Sequence, residues 1–139
     1  MKYHTNTVGG DPEGFKKGLG HALTLALKDQ SKQLLIKVGS LQNTKGIMSD
    51  VLGDKFVNSL IKTKEQTISI QGTNVTIYLE GDKTHGSNFS GGTVFTPWVA
   101  SHSLASALND HRTTALVYVP WMQKELNDYI KSNPNSVLI

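Results

Sequence analysis

The amino-acid sequence predicts an α/β protein, a three-layer sandwich whose mostly parallel, Rossmann-like sheet has five to six strands and an antiparallel edge hairpin over residues 67–80. Three observations predict it. Leu34-Leu35-Ile36-Lys37-Val38 and Ala115 to Val119 are short, nearly continuous apolar runs, the profile of strands buried on both faces. Segments with apolar residues at helical spacing lie between such runs, so strand and helix alternate along the chain. Ile68, Ile70, Val75, Ile77 and Leu79 instead alternate with polar residues around Gly72-Thr73, the pattern of a hairpin with one wet face.

Taken in order, Lys2 to Val8 reads as a strand that runs into Gly9-Gly10-Asp11-Pro12. Asp11 suits an N-cap, Pro12 the first helical position, and Glu13 the positive end of the helix dipole. Phe15, Leu19, Leu23 and Leu27 recur at helical spacing up to a helix end near Asp29, with Gly14 and Gly18 as a small stripe beside them. A glycine inside a helix costs about 1 kcal/mol relative to alanine, so the stripe predicts a close backbone approach. After the strand at 34–38, Met48, Leu52, Phe56 and Leu60 mark a helix broken at Gly53, with Asp54 capping the second piece.

The hairpin is followed by GDKTHGSNFSGG, residues 81–92, which has little to bury and reads as a mobile loop, a lid for the neighbouring edge. Thr93 to Thr96 is a strand, Ser101 caps a short helix carrying Leu104 and Leu108, and the run at 115–119 is the next strand. Pro120 opens a last helix with Met122, Leu126, Tyr129 and Ile130 inward, and Ser136 to Ile139 forms a final short strand.

Residues 1–139 are expected to form a single α/β domain, of a size that buries a core without help from a metal or disulfide. With no cysteine, the sequence excludes a disulfide scaffold, a thiolate zinc site, an iron-sulfur cluster and a cysteine nucleophile. No run approaches the roughly 18 apolar residues of a membrane span, and the opening MKYHTNTVGG lacks the apolar core of a signal peptide, so no membrane association is expected and the expected compartment is the cytoplasm. The net charge of +3 is uneven: residues 1–64 carry ten lysines against five acids (+5), and 65–139 carry four basic residues against six acids (−2). An acidic or phosphorylated partner would prefer the first half. Arg112 is the single arginine among fourteen basic residues, which argues against sequence-specific DNA binding.

Ligands of open α/β sheets bind beyond the carboxyl ends of the strands. That edge collects Gly9, Gly10, Ser40, Asn43, Trp98, Ser101, His102 and Trp121 as the expected ligand-binding residues. Its most distinctive feature is an echo. Thr93-Val94-Phe95-Thr96-Pro97-Trp98 and Leu116-Val117-Tyr118-Val119-Pro120-Trp121 both read as strand, Pro-Trp, helix, so neighbouring strands would present two indoles side by side. They would either flank a ligand or pack helices onto the sheet.

No nucleotide fingerprint is present: Gly9 to Lys17 lacks the Gly-Lys-Ser/Thr ending of a phosphate loop, and G-x-G-x-x-G is absent. No metal-binding spacing joins His4, His21, His85, His102 and His111, and neither a metal nor a cofactor is expected. Ser101-His102 at a helix start is the best catalytic candidate, but the elbow motif and an acid partner are missing, and whether a reaction is catalysed stays open. The sequence therefore supports two functions. One is a small domain that binds an anionic ligand, with a nucleotide as one candidate, at the carboxyl edge. The other is an interaction or homo-oligomerisation module that uses the Trp-bearing edge or the hairpin.

Overall fold

The computed structural model of the chain describes residues 1–39, 45–83 and 86–139. Along these the order is β1 (Lys2–His4), α1 (Pro12–Lys28), β2 (Gln33–Lys37), α2 (Gly46–Leu52), α3 (Asp54–Thr63), β3 (Glu65–Ile70), β4 (Thr73–Glu80), β5 (Gly92–Pro97), α4 (Ser101–Asn109), β6 (Thr113–Val119), α5 (Gln123–Ser132) and β7 (Val137–Leu138). The strands form one sheet in the order β3-β4-β2-β5-β6-β1-β7. Every pairing is parallel except β3 with β4, so the expected fold class holds and the short C-terminal strand makes a seventh.

Strand register separates the two faces. Ile36 pairs with Phe95 and Phe95 with Val117, and this row packs under Phe15, Leu19, Ala22 and Ala26 of α1. Leu35, Val94 and Leu116, one residue earlier in each strand, point the opposite way onto Leu104 and Ala107 of α4. Helices α1 to α3 thus cover one face, and α4 and α5 the other. No helix among the described residues is long and apolar enough to cross a membrane.

The glycine stripe of α1 is a contact surface. A Cβ on Gly14 would stand 2.2 Å from Thr7 Oγ1, and one on Gly18 would stand 2.6 Å from Val119 and 2.8 Å from Phe95. Asp11 caps the helix by accepting from the Glu13 amide at 3.0 Å, as its position before Pro12 implies.

Several local expectations are corrected. The hairpin turn is Gln71-Gly72, one residue earlier than expected, because Ile70 pairs with Thr73 and both turn residues take positive φ (51° and 81°). That is the type I′ geometry whose twist matches the strands. Ser101 is the first helical residue of α4 and Ala100 its cap. Helix α5 begins at Gln123 rather than Pro120, and it buries Leu126 and Tyr129 while leaving Met122 and Ile130 exposed. Within the stretch expected to be a mobile loop, residues 87–90 are anchored. Phe89 is buried against Tyr78, the Ser87 amide and hydroxyl donate to Glu80, Asn88 donates to Glu65, and Ser90 and Gln33 bond each other. Phe89 thereby packs with Leu35, Val94 and Leu104 on the α4 face of the sheet.

Candidate functional site

Connections diverge at the carboxyl edge in two places. From β2 the chain leaves for α2 and the β3 side of the sheet, whereas from neighbouring β5 it leaves for α4 on the opposite face. From β1 it turns back through α1, whereas from neighbouring β6 it goes through α5 to the far edge. Such reversals open a crevice over the strand ends. The two tryptophan-bearing strands, β5 and β6, lie between these two points.

Trp98 follows β5 directly with φ at +57°, a left-handed backbone that a bulky side chain rarely adopts. Its amide donates to the Val119 carbonyl at 2.7 Å, which locks the end of β5 to that of β6. The indole stacks at 5.5 Å on Phe15 of α1 and meets Trp121 edge-on at 5.7 Å. Its Nε1 is buried without a hydrogen-bond partner among the described residues. Trp121 is 48% exposed, so of the two sequence readings Trp98 fits the packing role in part and Trp121 does not.

Gly9 and Gly10 are held against this pair. The Gly9 amide, at a residue with φ of +74°, donates to the Trp121 carbonyl at 2.6 Å. A Cβ on Gly10 would sit 3.2 Å from the Trp121 ring and 3.4 Å from Ile47 of α2. The expected residues Gly9, Gly10, Trp98 and Trp121 therefore converge. Ser40 and Asn43 lie outside the described residues.

Ser101 and His102 begin α4 at the same edge, both exposed. They are not bonded to each other among the described residues. Instead His102 Nε2 stands 3.4 Å from a carboxylate oxygen of Asp82, whose other oxygen accepts from the buried Ser103 hydroxyl at 2.5 Å. Asp82 is the acid partner that sequence reasoning missed. It follows β4 by two residues, which places it at the carboxyl edge, but its glycine-rich surroundings made it read as loop.

Helix starts at this edge differ in their capping. Asp11 caps α1, and Glu125 accepts from the Met122 amide at the start of α5. The start of α4 has no side-chain cap, and Asp82 provides the negative charge next to it. Exposed Lys45 and Lys83 flank the edge on the β2 and β4 side. No protein-family model, curated protein or solved structure matches the chain.

Proposed function

We propose that this domain binds a small anionic ligand with a flat ring, of the nucleotide type, at the carboxyl edge of its sheet. One observation carries the reading. Trp98 is held in a left-handed backbone with a buried indole N–H that has no partner among the described residues, immediately beside the half-exposed Trp121. Strained residues persist where the surroundings over-determine them, and they cluster at binding sites. The exposed Trp121 ring offers a stacking face, and Lys45 offers charge for an anionic group. Asp82 disfavours an anion directly at the start of α4, so the anionic group belongs on the Gly10 and Lys45 side.

A specific observation also favours the interaction module. Val8, Trp121 and Met122 are exposed together, joined by the bond from Gly9 to Trp121, and such apolar clusters mark contact surfaces. The two functions separate in one experiment, titration with AMP, ADP and inorganic phosphate alongside sedimentation over a range of protein concentrations. The ligand reading expects saturable tryptophan fluorescence change with AMP or ADP from a monomer, weakened by Trp121→Ala about 5- to 100-fold, as loss of base stacking does. Dimerisation that Trp121→Ala abolishes, with no nucleotide response, would replace it with the interaction module.

A further inference from the structure

Strand β7 closes the sheet with two residues, Val137 and Leu138, which pair with Tyr3 and His4 of β1. Both side chains are exposed, so little apolar burial holds the strand down. What secures it is polar. His4 is buried between β6 and β7, with its Nδ1 2.8 Å from the Ser136 hydroxyl, and that hydroxyl stands 2.9 Å from the Tyr129 hydroxyl of α5. The His4 carbonyl accepts from the Ile139 amide at 2.9 Å. One residue of β1 thus bonds the chain on both sides of β7.

A neutral ring satisfies this chain of groups: Tyr129 donates to Ser136, and Ser136 donates to Nδ1. A protonated ring can only donate, which reverses the chain, leaves the Tyr129 proton without an acceptor in it, and puts a charge among buried aromatic rings. Among the described residues the carboxylates paired with histidine belong to His102 and His111, not to His4. Around His4, β6 presents Tyr118, whose phenol burial and Glu125 push far up, and α5 presents Tyr129 edge-on at 5.7 Å. Lys2, on the same face of β1, is held by Asn133 at 3.0 Å, and Val137 and Leu138 bring no titratable side chain. Burial accordingly holds the His4 pKa below 6.5. On the opposite face His21 rests on Tyr3 at 4.5 Å, its Nε2 buried with no partner among the described residues and Lys28 opposing its charge, so a second neutral ring borders the same strands.

We propose that β7 is an acid-released strand, latched to β1 by the neutral His4–Ser136–Tyr129 chain and freed, with the rest of the sheet intact, when His4 takes up a proton. Release hydrates the imidazole, where its charge costs little, and uncovers the outer edge of β1. Because the latched state disfavours the proton, opening rises about tenfold per pH unit as pH falls below 6.5 and levels off below the folded value. The device does not rest on the reading given for the carboxyl edge.

The test is amide hydrogen exchange of the whole labelled chain, read by NMR at a series of pH values between about 7.5 and 5 and expressed as protection relative to the unstructured rate. Protection of Ile139 is expected to fall several-fold or more toward acid, while that of Val117, paired on both sides in the middle of the sheet, holds. His4→Asn, whose amide keeps a neutral hydrogen-bonding group near the Nδ1 position, should remove the pH dependence at Ile139. Ser136→Ala should lower Ile139 protection several-fold already at pH 7.5. Protection of Ile139 that ignores pH, or equal falls at Ile139 and Val117, would overturn the proposal, and both are read on the unsubstituted chain. A pH dependence that survives in folded His4→Asn would overturn it too, by assigning the release to another group such as His21.

Discussion

Arg112 and Glu80 lie 32 positions apart and meet fork to fork, Nη1 3.0 Å from one carboxylate oxygen and Nη2 3.0 Å from the other. Nη2 also binds Asp110 at 2.7 Å, and the guanidinium covers the Phe89 ring at 5.2 Å. The single arginine of the chain is therefore the post that ties the β4–β5 segment to the start of β6. Glu80 is 4% exposed, so removing its partner strands a buried charge. Arg112→Met is expected to cost about 3–5 kcal/mol in urea denaturation and to speed hydrogen exchange at residues 86–91. A loss under about 1 kcal/mol would contradict this role.

The same cluster sets the acid limb of stability. Burial alone would raise the Glu80 carboxyl, but bonds from Arg112 and from the Ser87 amide and hydroxyl outweigh it and hold the group below its ordinary value. Asp110 is held low chiefly by the Arg112 side chain. With both folded values depressed, their stabilisation is complete above the ordinary carboxylate range and fades as pH falls through the lower folded values. Glu80→Gln should flatten stability below about pH 4.5, measured by denaturation at a series of pH values.

His4 adds a second, higher limb. It is 6% exposed, its Nδ1 bonds Ser136 at 2.8 Å, and burial lowers its pKa below 6.5. The folded state favours the neutral ring, so this stabilisation is whole above about pH 6.5 and is lost as pH falls through the lower folded value. His4→Asn is expected to reduce the stability difference between pH 7.5 and 5.5. An unchanged difference would assign that slope to other groups, His21 first among them, since burial and Lys28 lower it too.

Two glycines of α1 should respond to alanine with opposite signs. Gly18 faces Val119 and Phe95 at 2.6–2.8 Å from a built Cβ, so Gly18→Ala should destabilise by roughly 1–3 kcal/mol through overpacking. Gly20 has open space at the same position and sits exposed in mid-helix, so Gly20→Ala should stabilise by about 1 kcal/mol. Thermal denaturation of the pair checks the sign, and like-signed shifts would mean that the close approach of α1 to the sheet is wrong.

What the sequence made legible was local. The runs at 34–38 and 115–119 became β2 and β6 because strands buried on both faces need apolar side chains at nearly every position, and the glycine stripe announced its close contact. The hairpin turn slipped by one residue because Gln71, a residue with no special preference for it, takes the left-handed conformation. Met122 and Ile130 kept helical spacing but face outward. Of the site, Gly9, Gly10, Trp98 and Trp121 were readable because each ends a strand or opens a turn. Asp82 and the Glu80–Arg112 pair were not, since long-range partners among charged residues leave no periodic trace.

Trp98 and Trp121 divide structure from binding. Trp98→Ala removes a ring packed on Phe15 and should cost about 3–5 kcal/mol, whereas Trp121→Ala, at a half-exposed position, should cost far less. Equal losses in the two variants, read by urea denaturation, would place Trp121 in the packed core and remove the stacking face from the edge.

The central claim, that the carboxyl edge holds a flat anionic ligand against these indoles, is tested most directly by watching the two indole N–H resonances of the protein during titration with ADP. A ring stacked on the half-exposed Trp121 should shift the resonance of that indole saturably, and that of Trp98, which meets it edge-on at 5.7 Å, should follow. Two stationary indole resonances at millimolar ADP, in a protein whose fold is intact by its amide spectrum, would contradict the account.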